Sequence, residues 1–220
     1  LTGNDLKAVI FDLDGVLIDT AEFHKKSWYD LAEKEGFEMS DEFFNDTFGS
    51  QNSEIIPSLA GKELSGEKIR ELGDWKEARY RELIDGKLQL LPGAEELIVN
   101  LKNASFKLAI GTSTPRENLD FLFERMPLHE YFDATVAGEE AQRSKPAPDT
   151  FLMAAEKVNI SPSRCVVVED AVQGVQAGLS GGMKVLAVTT TRKADDLAQA
   201  DMVVHSLAEV GAVDFERLLA

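Results

Sequence analysis

The stretch "FDLDGVLIDT", residues 11–20, places three aspartates where an apolar run ends. The run leading into it, "KAVIF" at residues 7–11, has the length and composition of a strand buried on both faces. Successive side chains of an extended chain alternate faces, so Asp12 and Asp14 project to one side and repel each other. Close carboxylates either share a proton or bind a cation, and an all-oxygen ligand set with main-chain help suits Mg2+. Gly15 follows at once, with the conformational freedom to turn the chain so that a main-chain carbonyl also faces the metal. Aspartates also end strands and begin turns for purely local reasons, so the remaining strand ends have to decide between the two readings.

Three further apolar runs read as buried parallel strands: "KLAIG" (107–111), "CVVVE" (165–169) and "KVLAV" (184–188), with "ATVA" and "MVVH" as weaker candidates. Between them, residues 94–103, 115–126, 148–158 and 171–180 repeat apolar positions at three and four residues, which predicts helices. Strands alternating with helices imply right-handed crossovers onto a parallel sheet, an α/β, doubly wound, Rossmann-like core. The rhythm breaks after the first strand. Residues 21 to 85 hold only helical patterns, with Ser40 and Ser65 as N-caps, so a helical domain is inserted. The expected division is residues 1–18 and 88–220 for the core and 19–87 for the insertion, whose two connections form a hinge.

At 220 residues and 44% hydrophobic content the chain can bury a sizeable core. Its formal net charge of -16, with no clustered basic stretch, argues against a nucleic-acid partner. It leaves room for a small phosphorylated ligand if local cations offset the acidic field. No apolar run is long enough to span a bilayer, and a lone cysteine, Cys165, suits a reducing cytoplasm and reads as strand core. A monomer in the cytoplasm, away from membranes, is the default expectation.

The other strand ends favour the metal reading. "LAIG" runs into Thr112, Ser113 and Thr114, and "CVVV" runs into Glu169 and Asp170. Hydroxyls and carboxylates therefore gather at the carboxyl edge of the sheet, where open α/β sheets bind ligands. Lys145, in "RSKPAP" before a helix start, supplies a local cation. "TPRE" also reads as a capping box, which would engage the Thr114 hydroxyl with the helix that follows.

In order and spacing, "DLDGVLIDT", the hydroxyl closing "LAIGT", the lysine of "SKPAPD" and the "VVEDAVQGVQAG" block resemble the four signature motifs of the haloacid dehalogenase-like phosphohydrolases. The helical insertion sits where that superfamily carries its cap domain. The resemblance implies that Asp12 is a nucleophile forming an aspartyl-phosphate and that Asp14 is general acid and then base. It implies that Thr112 and Lys145 hold the transferring phosphoryl group, and that Mg2+ is bound by Asp12, Asp14 through its main-chain carbonyl, Asp170 and Glu169. Ser113, Thr114 and Arg116 are further substrate candidates. Dehalogenases of the superfamily lack the second aspartate, so Asp14 points to phosphate esters; Lys25, Lys26 and Lys76 resemble the Schiff-base lysine of phosphonate-cleaving members only as helix-surface lysines do.

Within the superfamily the nearest resemblance is to the β-phosphoglucomutase-like and sugar-phosphatase branch. His24 and Lys76 match its cap residues, and Gly49 matches the glycine of its cap loop. The cations that flank that glycine in mutases are absent here, where "TFGSQNSE" offers Phe48, Gln51 and Asn52, and the lysine after the hydroxyl motif is replaced by Pro115 with Arg116 beside it. Losing such charge-assisted contacts weakens the grip on a bisphosphate, so the expectation is a phosphatase acting on a small phosphorylated metabolite, a sugar phosphate first. A phosphosugar mutase and a non-catalytic binding protein are the alternatives. Trp28, Phe48, Trp75 and Arg79 either shape the substrate end of the insertion or pack inside it.

Overall fold

The structure, a computed structural model, describes residues 6–125 and 129–220. It divides into two compact units, Leu1–Asp19 with Gln89–Ala220, and Thr20–Leu88. The first is built on six parallel strands, β1 (Ala8–Phe11), β2 (Lys107–Gly111), β3 (Ala134–Val136), β4 (Cys165–Glu169), β5 (Lys184–Val188) and β6 (Met202–Val204). Their spatial order is β3-β2-β1-β4-β5-β6. The order explains why "AVIF" is apolar at every position: β1 lies between β2 and β4, and none of its four side chains reaches solvent. Ala8 and Ile10 face a cluster with Phe151, Val167 and Val175, and truncating Ile10 to alanine would cost about 2–5 kcal/mol.

The chain leaves β1 for β2 on one side and later returns to β4 on the other, so the direction of winding reverses between β1 and β4. Crevices at such reversals, beyond the carboxyl ends of the strands, are where sheets of this kind hold ligands. Phe11 pairs with Val168, and the Asp12 amide continues the ladder by donating to Val168 O at 2.9 Å. The ladder thus reaches the first aspartate, and the chain bends at Leu13 before Asp14.

The second unit consists of α1 (Ala21–Glu35), α2 (Asp41–Thr47), α3 (Asn52–Ala60) and α4 (Gly66–Ile84). Ser40 and Ser65 accept from the amides of Phe43 and Lys68, which starts α2 and α4 where the N-cap pattern places them. Gly36, in the left-handed region at φ 70°, ends α1. Trp28, Leu31, Phe44, Ile55, Ile56, Leu59 and Leu72 form this unit's own core.

In the first unit, α5 (Ala94–Asn103), α6 (Arg116–Arg125), α7 (Asp149–Lys157), α8 (Val172–Ser180) and α9 (Ala212–Leu218) complete the alternation with the strands. Met126, the last residue of the helix expected over 115–126, lies outside the described residues. Among the described residues no helix is long and apolar enough to cross a membrane. Cys165 is buried in β4, where desolvation pushes its thiol up to about 12, so it remains protonated and unreactive.

Candidate active site at the carboxyl edge of the sheet

Asp12, at the end of β1, and Glu169, the last residue of β4, are brought side by side by the strand register. Lys145 joins them: its ammonium lies 2.9 Å from Asp12 Oδ1 and 2.6 Å from Glu169 Oε1, and all three groups are buried. The Lys145 ammonium also sits over the ring of Phe151, with Nζ 4.6 Å from the ring centroid. The second oxygen of Glu169 accepts from the amides of Asp170 and Ala171, at 2.8 and 2.9 Å. Both Glu169 oxygens are therefore taken by protein donors. A Cβ at Gly174 of α8 would lie 1.8 Å from Glu169 Oε1, so only glycine leaves room there for the carboxylate.

Asp12, Glu169 and Asp170 each present an oxygen within 4.8 Å of the others. Three acids share one lysine, an unbalanced arrangement in a buried place. Burial is the main cause that pushes Asp12 up to about 7, with Glu169 and Asp14 adding repulsion and Lys145 opposing it. Asp170 is raised for the same reasons, burial first, then the charges of Glu169 and Asp12. Burial works against the charge of Lys145, but Asp12 and Glu169 outweigh it and hold the group firmly protonated. The donor set is oxygen only, which fits Mg2+ and does not suit softer metals. A bound cation would supply the positive charge that the lysine alone does not.

Asp14 accepts from the Thr114 hydroxyl, and the Thr114 amide in turn donates to Thr112 Oγ1 at 3.2 Å. The Thr114 hydroxyl proton thus points at Asp14, and the first amide of α6, that of Arg116, goes to Glu139 at 2.9 Å. The loop is also braced from β3: Gly138 N donates to Thr114 O, and a Cβ on Gly138 would lie 2.2 Å from Ser113 O. Ser113 is half-buried between these two threonines. Arg116 is committed elsewhere. Its guanidinium binds Glu140 and Thr135, and Asp120 lies 3.6 Å away, so it braces the β3 edge.

Residues the sequence reading passed over also meet here. Thr191 Oγ1 lies 2.5 Å from Asp170 Oδ2, and Thr190 Oγ1 donates to Gly15 O. The signal was available: "VLAVTTTRK" ends a strand in hydroxyls just as "LAIGTST" does. Gly174 could not have been found that way, because its role depends on the proximity of α8 to β4.

The second unit contains its own buried polar cluster. Lys76, 2% exposed, lies 2.8 Å from His24 Nδ1 and 2.9 Å from Glu77 Oε1, and Asn52 donates to the same glutamate oxygen at 2.7 Å. The Lys76 ammonium sits over Trp28 at 5.0 Å, and His24 stacks on Tyr80 at 4.0 Å. Phe48 packs on Phe44 and His24, and Trp28 belongs to the unit's core. Arg79 pairs with Asp30 and Glu82, and Lys25 and Lys26 pair with Asp41 and Asp30. Gly49 has φ 93°, a conformation open to glycine and strained for other residues.

Comparison with known proteins agrees with this geometry. The profile of the haloacid dehalogenase-like hydrolase family matches residues 9–188, and the chain belongs to that family. It is 32% identical over 213 residues to the beta-phosphoglucomutase of Bacillus subtilis (strain 168), covering 93% of this chain and 92% of that protein. It is 33% identical over 184 residues to the phosphorylated carbohydrates phosphatase of Thermotoga maritima, covering 81% and 83%. The crystal structure of the beta-phosphoglucomutase of Clostridium difficile superposes with a TM-score of 0.88 at 27% identity, over 97% of both chains. The protein is an enzyme of this hydrolase family, with phosphatases and a phosphosugar mutase among its relatives at similar identity.

Proposed function

We propose that the enzyme is a Mg2+-dependent phosphatase that hydrolyses a small phosphorylated metabolite, a sugar phosphate, through an aspartyl-phosphate on Asp12. The observation that carries this reading is the convergence on one strand end of a buried carboxylate held by Lys145 and a second carboxylate held by Thr114. Asp12 Oδ1 is engaged by the lysine, and its other oxygen is the attacking atom that forms the new O–P bond. Asp14 protonates the departing ester oxygen and later takes a proton from the water that cleaves the acyl phosphate; Thr114 fixes its orientation for both steps. Lys145 and Thr112 bind the phosphoryl oxygens and offset their charge. Ser113 and Thr114, in the loop after β2, are secondary substrate contacts in this reading.

Asp12, Asp170 and the main-chain carbonyl of Asp14 would hold Mg2+, with Glu169 spending its oxygens on Lys145 and the neighbouring amides. When bound, the ion neutralises phosphoryl charge and keeps Asp12 ionised. In this reading His24, Gly49 and Lys76 belong to the substrate-selecting part of the protein, and the helical unit is its cap. A reducing cytoplasm and a monomeric state complete the proposal.

Mutase action is the second reading, favoured by one observation: His24 and Lys76 are joined in a buried pair that resembles the cap residues of mutases. Release of inorganic phosphate from a panel of sugar phosphates, with Mg2+ and with excess EDTA, tests the first reading; Mg2+-dependent release supports it, and its absence refutes it. Incubation with β-glucose 1-phosphate and a trace of the bisphosphate tests the second. Conversion to glucose 6-phosphate without free phosphate would replace hydrolysis by transfer.

A further inference from the structure

The loop after β5 closes on the same site from a third strand. Thr191 places its hydroxyl 2.5 Å from Asp170 Oδ2 and 3.2 Å from Asp170 O. One proton serves one strong bond, and the shorter contact, to the carboxyl oxygen, takes it. Next to it, Thr190 donates its hydroxyl proton to Gly15 O. Gly15 itself, at φ 78°, brings its backbone so close to Asp170 that a Cβ would lie 2.2 Å from Oδ2 and 3.0 Å from the Thr191 methyl. Asp170 Oδ2 is therefore hydrogen-bonded by the Thr191 hydroxyl and packed against the Gly15 backbone, while Asp170 also offers a carboxylate oxygen to the cluster with Asp12 and Glu169.

We infer that Thr191, with Thr190 beside it, is a positioning residue that clasps the β1 loop to Asp170 and orients that carboxylate for metal binding. The inference rests on the reading of Asp12 and Asp170 as Mg2+ ligands. Its physical basis is general: a ligand carboxylate that is hydrogen-bonded from behind loses less freedom on binding, and removing such a partner weakens metal affinity by about 10–100-fold.

Titration of the purified protein with Mg2+ alone, followed by calorimetry, and with Mn2+, followed by electron paramagnetic resonance, tests this. Thr191→Val keeps the shape and removes the donor; Thr191→Ser keeps the donor and removes the methyl. The clasp predicts that Thr191→Val binds both ions at least about 10-fold more weakly, that Thr191→Ser stays near wild type, and that metal-free melting temperatures are similar. In turnover, Thr191→Val should raise the Mg2+ concentration for half-maximal rate while leaving KM for the phosphorylated substrate unchanged. Wild-type affinity in Thr191→Val overturns the inference while leaving the function reading intact, as does equal weakening in Thr191→Ser with lowered melting temperature, which assigns Thr191 to packing. If wild type binds neither ion, the metal reading itself fails and the inference falls with it.

Discussion

Both units bury ionisable groups, but they balance them differently. At the edge of the sheet, Asp12 and Glu169 pair with the ammonium of Lys145 while Asp170 adds a third carboxylate to the cluster, and two of the three carboxylates are pushed toward protonation. In the helical unit, Lys76 meets one glutamate, and Glu77 also receives Asn52; burial would raise that carboxyl, yet Lys76 and His24 hold it below the usual range. One cluster carries surplus negative charge, which the proposed Mg2+ would offset. The other is internally satisfied, and its charges stabilise the conformation they share. A buried charge thus signals chemistry when its partners fail to neutralise it, and structure when they succeed.

Substitutions should separate the two clusters. The largest effect is expected from Asp12→Asn: phosphate release with a sugar phosphate or an aryl phosphate should fall about 10^4-fold, because the proposed nucleophile is gone. Its melting temperature should hold or rise, since one of three crowded carboxylates has been neutralised. Asp14→Asn should reduce both formation and breakdown of the phosphoenzyme by about 10^2–10^4-fold in rapid-quench measurements, with the protein still folded. In the balanced cluster the sign for stability reverses: Glu77→Gln leaves Lys76 without its counter-charge and should cost about 3 kcal/mol in urea unfolding. Equal stability changes for Asp12→Asn and Glu77→Gln would dissolve the distinction.

Smaller effects sharpen it. Gly174→Ala would ordinarily favour a helix, but here the added methyl meets Glu169, so a destabilisation of about 1–3 kcal/mol is expected, with slowed turnover as Lys145 loses its anchor. Away from both clusters, Glu140 supplies a control in pH. Burial tends to raise its carboxyl, but hydrogen bonds from Lys157 and Arg116 prevail and hold it at about 2. A depressed folded-state value means that its stabilisation is present above the ordinary glutamate range and disappears as pH falls from about 4.5 toward 2. Glu140→Gln should therefore cost about 1 kcal/mol at pH 7, after allowance for partial exposure, and the gap to wild type should narrow in that acid window.

Much of the fold was legible in the sequence because the buried strands are short, continuous apolar runs, and even the three-residue strands β3 and β6 stand where "ATVA" and "MVVH" place them. The acidic edge was legible for a related reason: a carboxylate or hydroxyl at the end of an apolar strand has a defined place once the strands are parallel. What escaped depends on contacts between distant segments. Nothing local to Arg116 announces Glu140 and Thr135 as its partners, and the capping pattern at Thr114 gives no hint that its hydroxyl serves Asp14, a hundred residues away. The pairing of Lys76 with His24 spans 52 residues and was visible only as two family-like positions.

The central claim is that the carboxylate of Asp12 captures phosphorus. Brief reaction with a sugar phosphate and Mg2+, acid quench, and reductive trapping of the acyl phosphate with borohydride, followed by peptide mass spectrometry, tests it directly. The account predicts that the modified residue is Asp12 and that Asp12→Asn yields none. Phosphate release that proceeds with no trapped acyl group, or with the modification on another residue, would contradict it.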